Sequence, residues 1–184
     1  MWIKVVSVAA VAIIVLVVAI ATRPAAFRVE RSVTIAAPAS VVFAHIADFR
    51  QWTAWSPYEK LDPLAQKSYS GPASGAGASF HYAGEKLGEG RMTVLDATPD
   101  DHITIRAEFL KPFRATNRID FTLAPAPSGV RVTWAMSGTN SFVFKAVTAV
   151  VNMDKLLGKE FESGLADLKR VSEQDASRSL AATR

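Results

Sequence analysis

Residues 102–136 read HITIRAEFLKPFRATNRIDFTLAPAPSGVRVTWAM, and the parity of their side chains decides the architecture. Ile103, Ile105, Ala107 and Phe109 fall on one face of an extended segment, and Thr104, Arg106 and Glu108 on the other. Ile119, Phe121 and Leu123 oppose Arg118, Asp120 and Thr122 in the same way. Val130, Val132, Trp134 and Met136 oppose Arg131, Thr133 and Ser137. A period of two marks strands that bury one face only. These strands therefore build a sheet with a wet side and a covered side. The separators Lys111-Pro112 and Pro125–Gly129 are turn chemistry, and such short links join antiparallel neighbours. On the wet side, Arg106, Glu108, Arg118 and Asp120 read as cross-strand charge pairs.

Working upstream, strand-like segments near Ser68, Ser79–Tyr82 and Arg91–Leu95 are parted by Gly71-Pro72, Gly84-Glu85-Lys86 and Pro99-Asp100-Asp101. Phe27–Ile35 alternates for most of its length and adds a first strand, giving about seven. Pro38 suits the first turn of a helix carrying Val41, Val42, His45 and Ile46 at helical spacing. Asp48 then begins a second short helix or turn through Trp52 and Trp55, which Pro57 stops.

Downstream, Val143, Ala146 or Val147, Val150, Met153, Leu157, Phe161, Leu165 and Leu168 recur at three- and four-residue steps. That predicts one long amphipathic helix, or a short helix followed by a longer one, covering the sheet. Gly158 and Gly164 let its backbone approach closely, at a propensity cost of about 1 kcal/mol each. The small, polar residues 174–184 predict a disordered tail.

The 184-residue chain has room for one domain plus an appendage. The appendage is apolar. Val5–Ala21 reads VVSVAAVAIIVLVVAIA, with Ser7 its only polar side chain. With Met1, Trp2 and Ile3 it reaches the length of a bilayer core. Lys4 can snorkel and Trp2 suits the interface. Residues 1–22 thus read as an uncleaved single-pass anchor and 23–26 as a linker. A cleaved signal is the competing reading, since Ala19-Ile20-Ala21 has small residues in the required places. Lys4 and the terminal amine favour a cytoplasmic N-terminus, whereas Arg23, Arg28 and Arg31 pull the other way. On balance the domain is expected outside the cytoplasm, on the periplasmic side if the membrane is a bacterial inner one. Formal charge is +4 with both signs interleaved, and no basic run marks a nucleic-acid surface. There is no cysteine, which excludes disulfides, thiol catalysis and cysteine-based metal sites.

The order strand, two short helices, six strands, long helix resembles the helix-grip α+β fold of the START-like SRPBCC superfamily, in particular its polyketide cyclase/dehydrase and lipid-transport branch. Residues carrying the resemblance include Val33-Thr34-Ile35-Ala36-Ala37-Pro38, Ile46-Ala47-Asp48-Phe49 with Trp52, and Trp55-Ser56-Pro57. Gly88-x-Gly90-x-Met92-Thr93, Val130-x-Val132-Thr133-Trp134 and Gly158–Lys169 complete the set. It covers the domain 27–173. What the resemblance implies is a curved sheet wrapped around the last helix, with a cavity between them for lipids, sterols or polyketides. Some members are enzymes, so fold alone does not fix the chemistry.

Such a cavity must draw its lining from the inward parities: Phe80, Tyr82, Met92, Ile105, Phe109, Phe121, Trp134 and Met136, with Met153 and Phe161 from the helix. Aromatic and thioether groups offer large, adaptable apolar contact. Each can equally be ordinary core. Trp52 and Trp55, three apart, read either as a gate at the cavity mouth or as a clamp on the short helices.

No catalytic residue is named. His45 lies in an apolar stripe, His81 has outward parity, and His102 sits beside Asp100 and Asp101 in ordinary turn chemistry. No pattern has the spacing of metal ligands, and no cofactor is implied. Glu85, Glu89 and Asp96 sit where water is close. The reading is a membrane-anchored binding or transport module for a hydrophobic small molecule (lipid, isoprenoid or polyketide-like). One alternative is a cyclase, dehydratase or hydrolase using the same cavity, with Tyr82 or Asn117 as its inward polar group. The other is a regulatory interaction domain with a collapsed pocket.

Overall fold

The computed structural model describes residues 7, 10, 14–15, 17–141, 144–146 and 152–182, except for the side chain of Met153. Seven strands form one antiparallel sheet: β1 (Ala26–Ile35), β2 (Gln66–Ser70), β3 (Ser79–Gly84), β4 (Gly88–Thr98), β5 (His102–Lys111), β6 (Ala115–Ala126) and β7 (Gly129–Thr139). Their spatial order is β1-β7-β6-β5-β4-β3-β2. Six strands follow one another by short turns, and β1 closes on β7 with Val29 opposite Met136 and Val33 opposite Val132. The register of β4 against β5 slips at Glu89/Gly90 and skips Leu95, and such irregularities bend a strand and sharpen sheet curvature.

Between β1 and β2 the chain crosses the sheet through α1 (Ala39–Ala47), a 3-10 turn (Gln51–Ala54) and α2 (Pro57–Leu61). Pro57 begins α2 rather than stopping a helix. Its fixed φ and missing N–H suit the first helical position, where the donor would be idle. The last helix, α3, runs from Met153 to Ala182. It packs on β1, α1 and α2.

The core is an aromatic stack between α3 and the middle of the sheet. Phe161 lies parallel to Trp134 at 4.3 Å, and Trp55 meets both Trp134 and Phe121 edge-on at 5.7 and 6.0 Å. Trp134, Trp55, Phe121 and Phe161 are fully buried. Gly164 makes the approach possible, because a Cβ there would fall 2.8 Å from the Trp134 ring and 2.9 Å from Pro57. Trp52 and Trp55 donate their indole N–H groups to the carbonyls of Ile46 and His45 at 2.9 and 3.1 Å. These bonds fasten the 3-10 turn to α1.

Two expectations need correction, and a third is narrowed. The wet-face charges pair along strands, not across them: Arg106 with Glu108 at 3.5 Å and Arg118 with Asp120 at 2.9 Å. The register sets Arg106 directly opposite Arg118, and like charges so placed repel. Second, the segment after Glu173 is helical through Ala182. Ala176 is buried, Asp175 bonds His45 at 3.1 Å, and Glu173 accepts the Ala36 N–H at 2.8 Å. These contacts give a polar sequence a reason to stay wound. Third, of the two forms expected for the closing segment, the short helix followed by a longer one fits the described residues. Only residues 144–146 of that stretch are described as helical before α3, and Val143, Val147 and Val150 lie outside the described residues.

Among the described residues no helix is long and apolar enough to cross a membrane. Most of the segment 1–22 lies outside them; Ile14, Val15, Val17 and Val18 are described and exposed.

Phe161→Ala removes the face that seats α3 on Trp134 and leaves a cavity in the solid part of the core. We expect a loss of about 3–5 kcal/mol, measured by urea unfolding followed by tryptophan fluorescence.

Candidate functional site

The interface between sheet and α3 is solid at one end and hollow at the other. Along β5 the inward side chains run Ile103, Ile105, Ala107, Phe109, and along β6 Leu123, Phe121, Ile119, Asn117, Ala115. Toward the ends of these two strands that adjoin residues 111–115, Ala107, Asn117 and Ala115 are small or polar. The register aligns Met92, Ala107, Asn117, Gly138 and Phe27 across five strands. Small groups between large ones leave space that α3 does not fill. The result is a cavity of about 470 Å³, within the range of small-molecule sites.

Its deep wall is Trp52, Phe80, Met92, Ile119, Trp134 and Met136. Its rim carries Leu61, Lys86, Lys111, Phe113, Arg114 and Phe144. Phe113 and Leu61 are 62% and 51% exposed, so the rim presents apolar groups to solvent among its cations. Phe113 and Phe144 meet edge-on at 6.0 Å. The N-terminal segment enters beside this rim. Lys145 donates to the Ala21 carbonyl at 3.1 Å, and the Asn140 N–H donates to Ala25 at 2.8 Å.

Several polar groups reach the cavity. Tyr82 is buried, and its pKa is pushed up to about 12 by desolvation. Its ring leans across β4 at Gly90, where a Cβ would fall 2.4 Å from the hydroxyl. Burial also drives the Tyr58 phenol well above its ordinary range, with smaller contributions from the Glu160 carboxylate and Tyr82. Ser56, Asn117, Thr139, Asn140 and Ser141 add further neutral polar residues to the lining. Glu59 and Lys67 lie in the wall as an ion pair, each satisfying the other.

The mouth is tied down by Asp62, which is only 6% exposed. Its carboxylate accepts the N–H groups of Lys86 and Leu87 at 2.8 and 3.3 Å. The Lys86 N–H bond, supported by that of Leu87, holds its pKa below the ordinary carboxylate range against desolvation. Gly84 leaves room for it, since a Cβ there would sit 2.3 Å from Asp62 Oδ2.

Of the residues singled out from sequence, Trp52, Phe80, Tyr82, Met92, Phe109, Trp134 and Met136 line the cavity. Trp55, Ile105, Phe121 and Phe161 do not; they are the packed core beside it. The Met153 side chain lies outside the described residues. Trp55 is a clamp, and Trp52 is at once clamp and inner wall. The histidines stand apart: His45 meets Asp175, His81 meets Glu89 at 3.3 Å, and His102 meets Asp96 and Asp101 at 2.6 and 3.1 Å. Glu89, expected near water, is held by Lys111 at 2.7 Å. Sequence reasoning missed Ser56, Tyr58 and the Glu59–Lys67 pair. It read Pro57 as a terminator, which hid the helix presenting Tyr58 and Glu59. It also passed over the small inward residues Ala115 and Gly138, whose parity was legible.

The model of the family described as polyketide cyclase / dehydrase and lipid transport matches residues 26–173. The chain belongs to this family. Among curated proteins none matches its sequence. Solved structures share the fold at low identity. Protein CV1439 from Chromobacterium violaceum aligns at 16% identity and TM-score 0.57, over 82% of this chain and 99% of that one. The Aha1 dimer from Colwellia psychrerythraea aligns at 13% and 0.58, over 80% and 96%. The di-domain ARO/CYC StfQ of the steffimycin biosynthetic pathway aligns at 10% and 0.59, over 83% of this chain and 52% of that one. Such likenesses establish the helix-grip architecture of this polyketide cyclase/dehydrase-type domain. The family points to small-molecule binding, and the hollow between sheet and α3 is where this member has room for it.

Because the Asp62 pKa is lowered on folding, its contribution to stability is present above the unfolded carboxylate pKa. It is lost as pH falls through the lower folded value. We expect a carbon-13 carboxyl titration to place Asp62 below the ordinary aspartate range. Asp62→Asn should loosen residues 85–87, read as faster amide exchange there, and remove that part of the acid sensitivity.

Proposed function

We propose that this chain is a membrane-tethered binding module that takes up a hydrophobic or amphipathic small molecule (a lipid, isoprenoid or polyketide-like compound) between its sheet and α3. The observation that carries this reading is the hollow half of an otherwise close-packed interface. Protein interiors ordinarily fill to crystal-like density, and here the inward residues shrink where α3 leaves a gap. Apolar burial supplies the affinity, at roughly 25 cal/mol per Å² before the costs of immobilisation. The pocket is open, which argues against a domain acting only through a collapsed one.

The tether is the apolar segment 1–22. Its described end, at Ala21, is bonded to Lys145 next to the rim residue Phe144. An anchor entering there holds the mouth toward the bilayer, with Phe113 and Leu61 facing the lipid and Lys86 and Arg114 near the headgroups. The local concentration of a membrane-dissolved ligand at the mouth rises accordingly. On this reading the protein is single-pass, with its domain on the extracytoplasmic side.

The cavity favours carriage over catalysis. Burial raises the pKa of Tyr58 and of Tyr82 further above neutral pH, and a general acid or base works best with a pKa near the working pH. Glu59 and Lys67 neutralise one another.

Full-length protein in nanodiscs should release a hydrophobic compound on organic extraction, seen by mass spectrometry against empty nanodiscs. It should also bind the neutral fluorophore N-phenyl-1-naphthylamine. Ala115→Trp plugs the cavity and should weaken that binding at least tenfold. Alkaline carbonate should leave the chain in the membrane pellet. An empty extract and no fluorophore binding would end the carrier reading; release by carbonate would end the tether.

A further inference from the structure

A tether limits how far a domain strays from a bilayer, but it does not by itself choose the face turned toward the lipid. The β5–β6 hairpin ends in Leu110-Lys111-Pro112-Phe113-Arg114, and all five residues are exposed. Leu110 is 37% exposed, and Phe113 stands between two cations in sequence. Across the mouth, Leu61 and Leu64 flank Asp62, and Leu64 is 92% exposed. The Asp62 carboxylate holds the N–H groups of Lys86 and Leu87, so these leucines and the β3–β4 turn form one pinned unit. Phe113 also meets Phe144, and the neighbouring Lys145 bonds the Ala21 carbonyl where the apolar N-terminal segment enters. Large apolar groups gathered in water around one opening mark a surface that something apolar covers.

The charges beside these groups identify the cover. Lys111 is paired with Glu89 at 2.7 Å, whereas Lys86 and Arg114 enter no ion pair among the described residues. Of the carboxylates nearby, Glu59 is matched by Lys67, Asp62 is occupied by backbone donors, and Glu85 alone stands exposed beside Lys86. Apolar tips set among cations fit the acyl boundary and headgroup phosphates of an anionic bilayer. We propose that the mouth is a second membrane contact, selective for anionic phospholipid: Phe113, Leu61 and Leu64 enter the acyl boundary while Lys86, Lys111 and Arg114 meet headgroup phosphates. This rests on the tether reading and adds to it a docked state that the anchor alone does not enforce. In that state the cavity opens onto the acyl layer, so a hydrophobic molecule enters without crossing water. Salt shortens the reach of surface charge to about 10 Å at 0.1 M, so docking weakens as salt rises while the anchor holds.

The test follows amide exchange of the full-length protein in phosphatidylcholine nanodiscs, with and without phosphatidylglycerol. Residues 84–88 and 110–114 should exchange about tenfold more slowly on the anionic discs, and high salt should remove the difference. Residues 96–101, at the opposite end of the sheet, should exchange alike on both. Lys86→Glu combined with Arg114→Glu should return the slowed amides to their phosphatidylcholine rate, with residues 119–123 still protected because the fold stands. Phe113→Ser should cost about threefold of the protection, and Arg131→Glu, at the far end of β7, should cost none. Equal exchange at the mouth on both lipids would overturn this proposal while leaving the tether intact. So would protection that survives the double reversal, or slowing at 96–101 as strong as at the mouth. Native chain that elutes apart from the discs would defeat the tether, and this proposal with it.

Discussion

The seating of α3 on Trp134 is the contact on which the rest depends. Phe161 stacks on that indole, Gly164 lets the helix backbone close over its edge, and Trp55 and Phe121 brace it from the sides. Dispersion between large planar groups at van der Waals distance is weak per atom and strong in sum. The stack therefore fixes where the helix crosses the sheet, and with it which inward residues are covered. Beyond the crossing point the inward side chains shrink to Ala107, Ala115, Gly90 and Gly138, so helix and sheet separate without filling the gap.

This division of one interface into a rigid half and a hollow half explains how stability and binding coexist. The packed half, from Val130 and Ile103 to Trp134, buries the apolar area that holds the fold. The hollow half is freed from that duty and carries Tyr58 and Tyr82 in its lining. Arg31 reaches from β1 to Asp154 at 3.0 Å and Glu162 at 2.7 Å, tying the start of α3 to the sheet edge. The strand ends, the Asp62-anchored turn, the rim aromatics and the base of the apolar N-terminal segment all gather at that open end.

Much of this was legible in residues alone. Period-two alternation specified which side of every long strand faces inward, because a pleated strand gives its side chains only two directions. Turn residues gave the hairpin order, and three- and four-residue spacing gave the closing helix. Parity has no means of telling Phe121, locked in the core, from Met136, on the cavity wall, since both point the same way. That distinction depends on where a helix far along the chain crosses the sheet, and on Gly164 letting it come close.

The sequence by itself determined the architecture, the inward faces and an apolar N-terminal segment, since these follow from local periodicity and composition. Tertiary structure alone decided the hollow, because an empty volume belongs to no single residue. It also decided that Pro57 opens a helix bearing Tyr58, that Arg106 turns along its strand away from Arg118, and that the polar end of α3 stays wound against Ala36 and His45. Each of these rests on a partner distant in sequence, whose approach only the folded chain can fix.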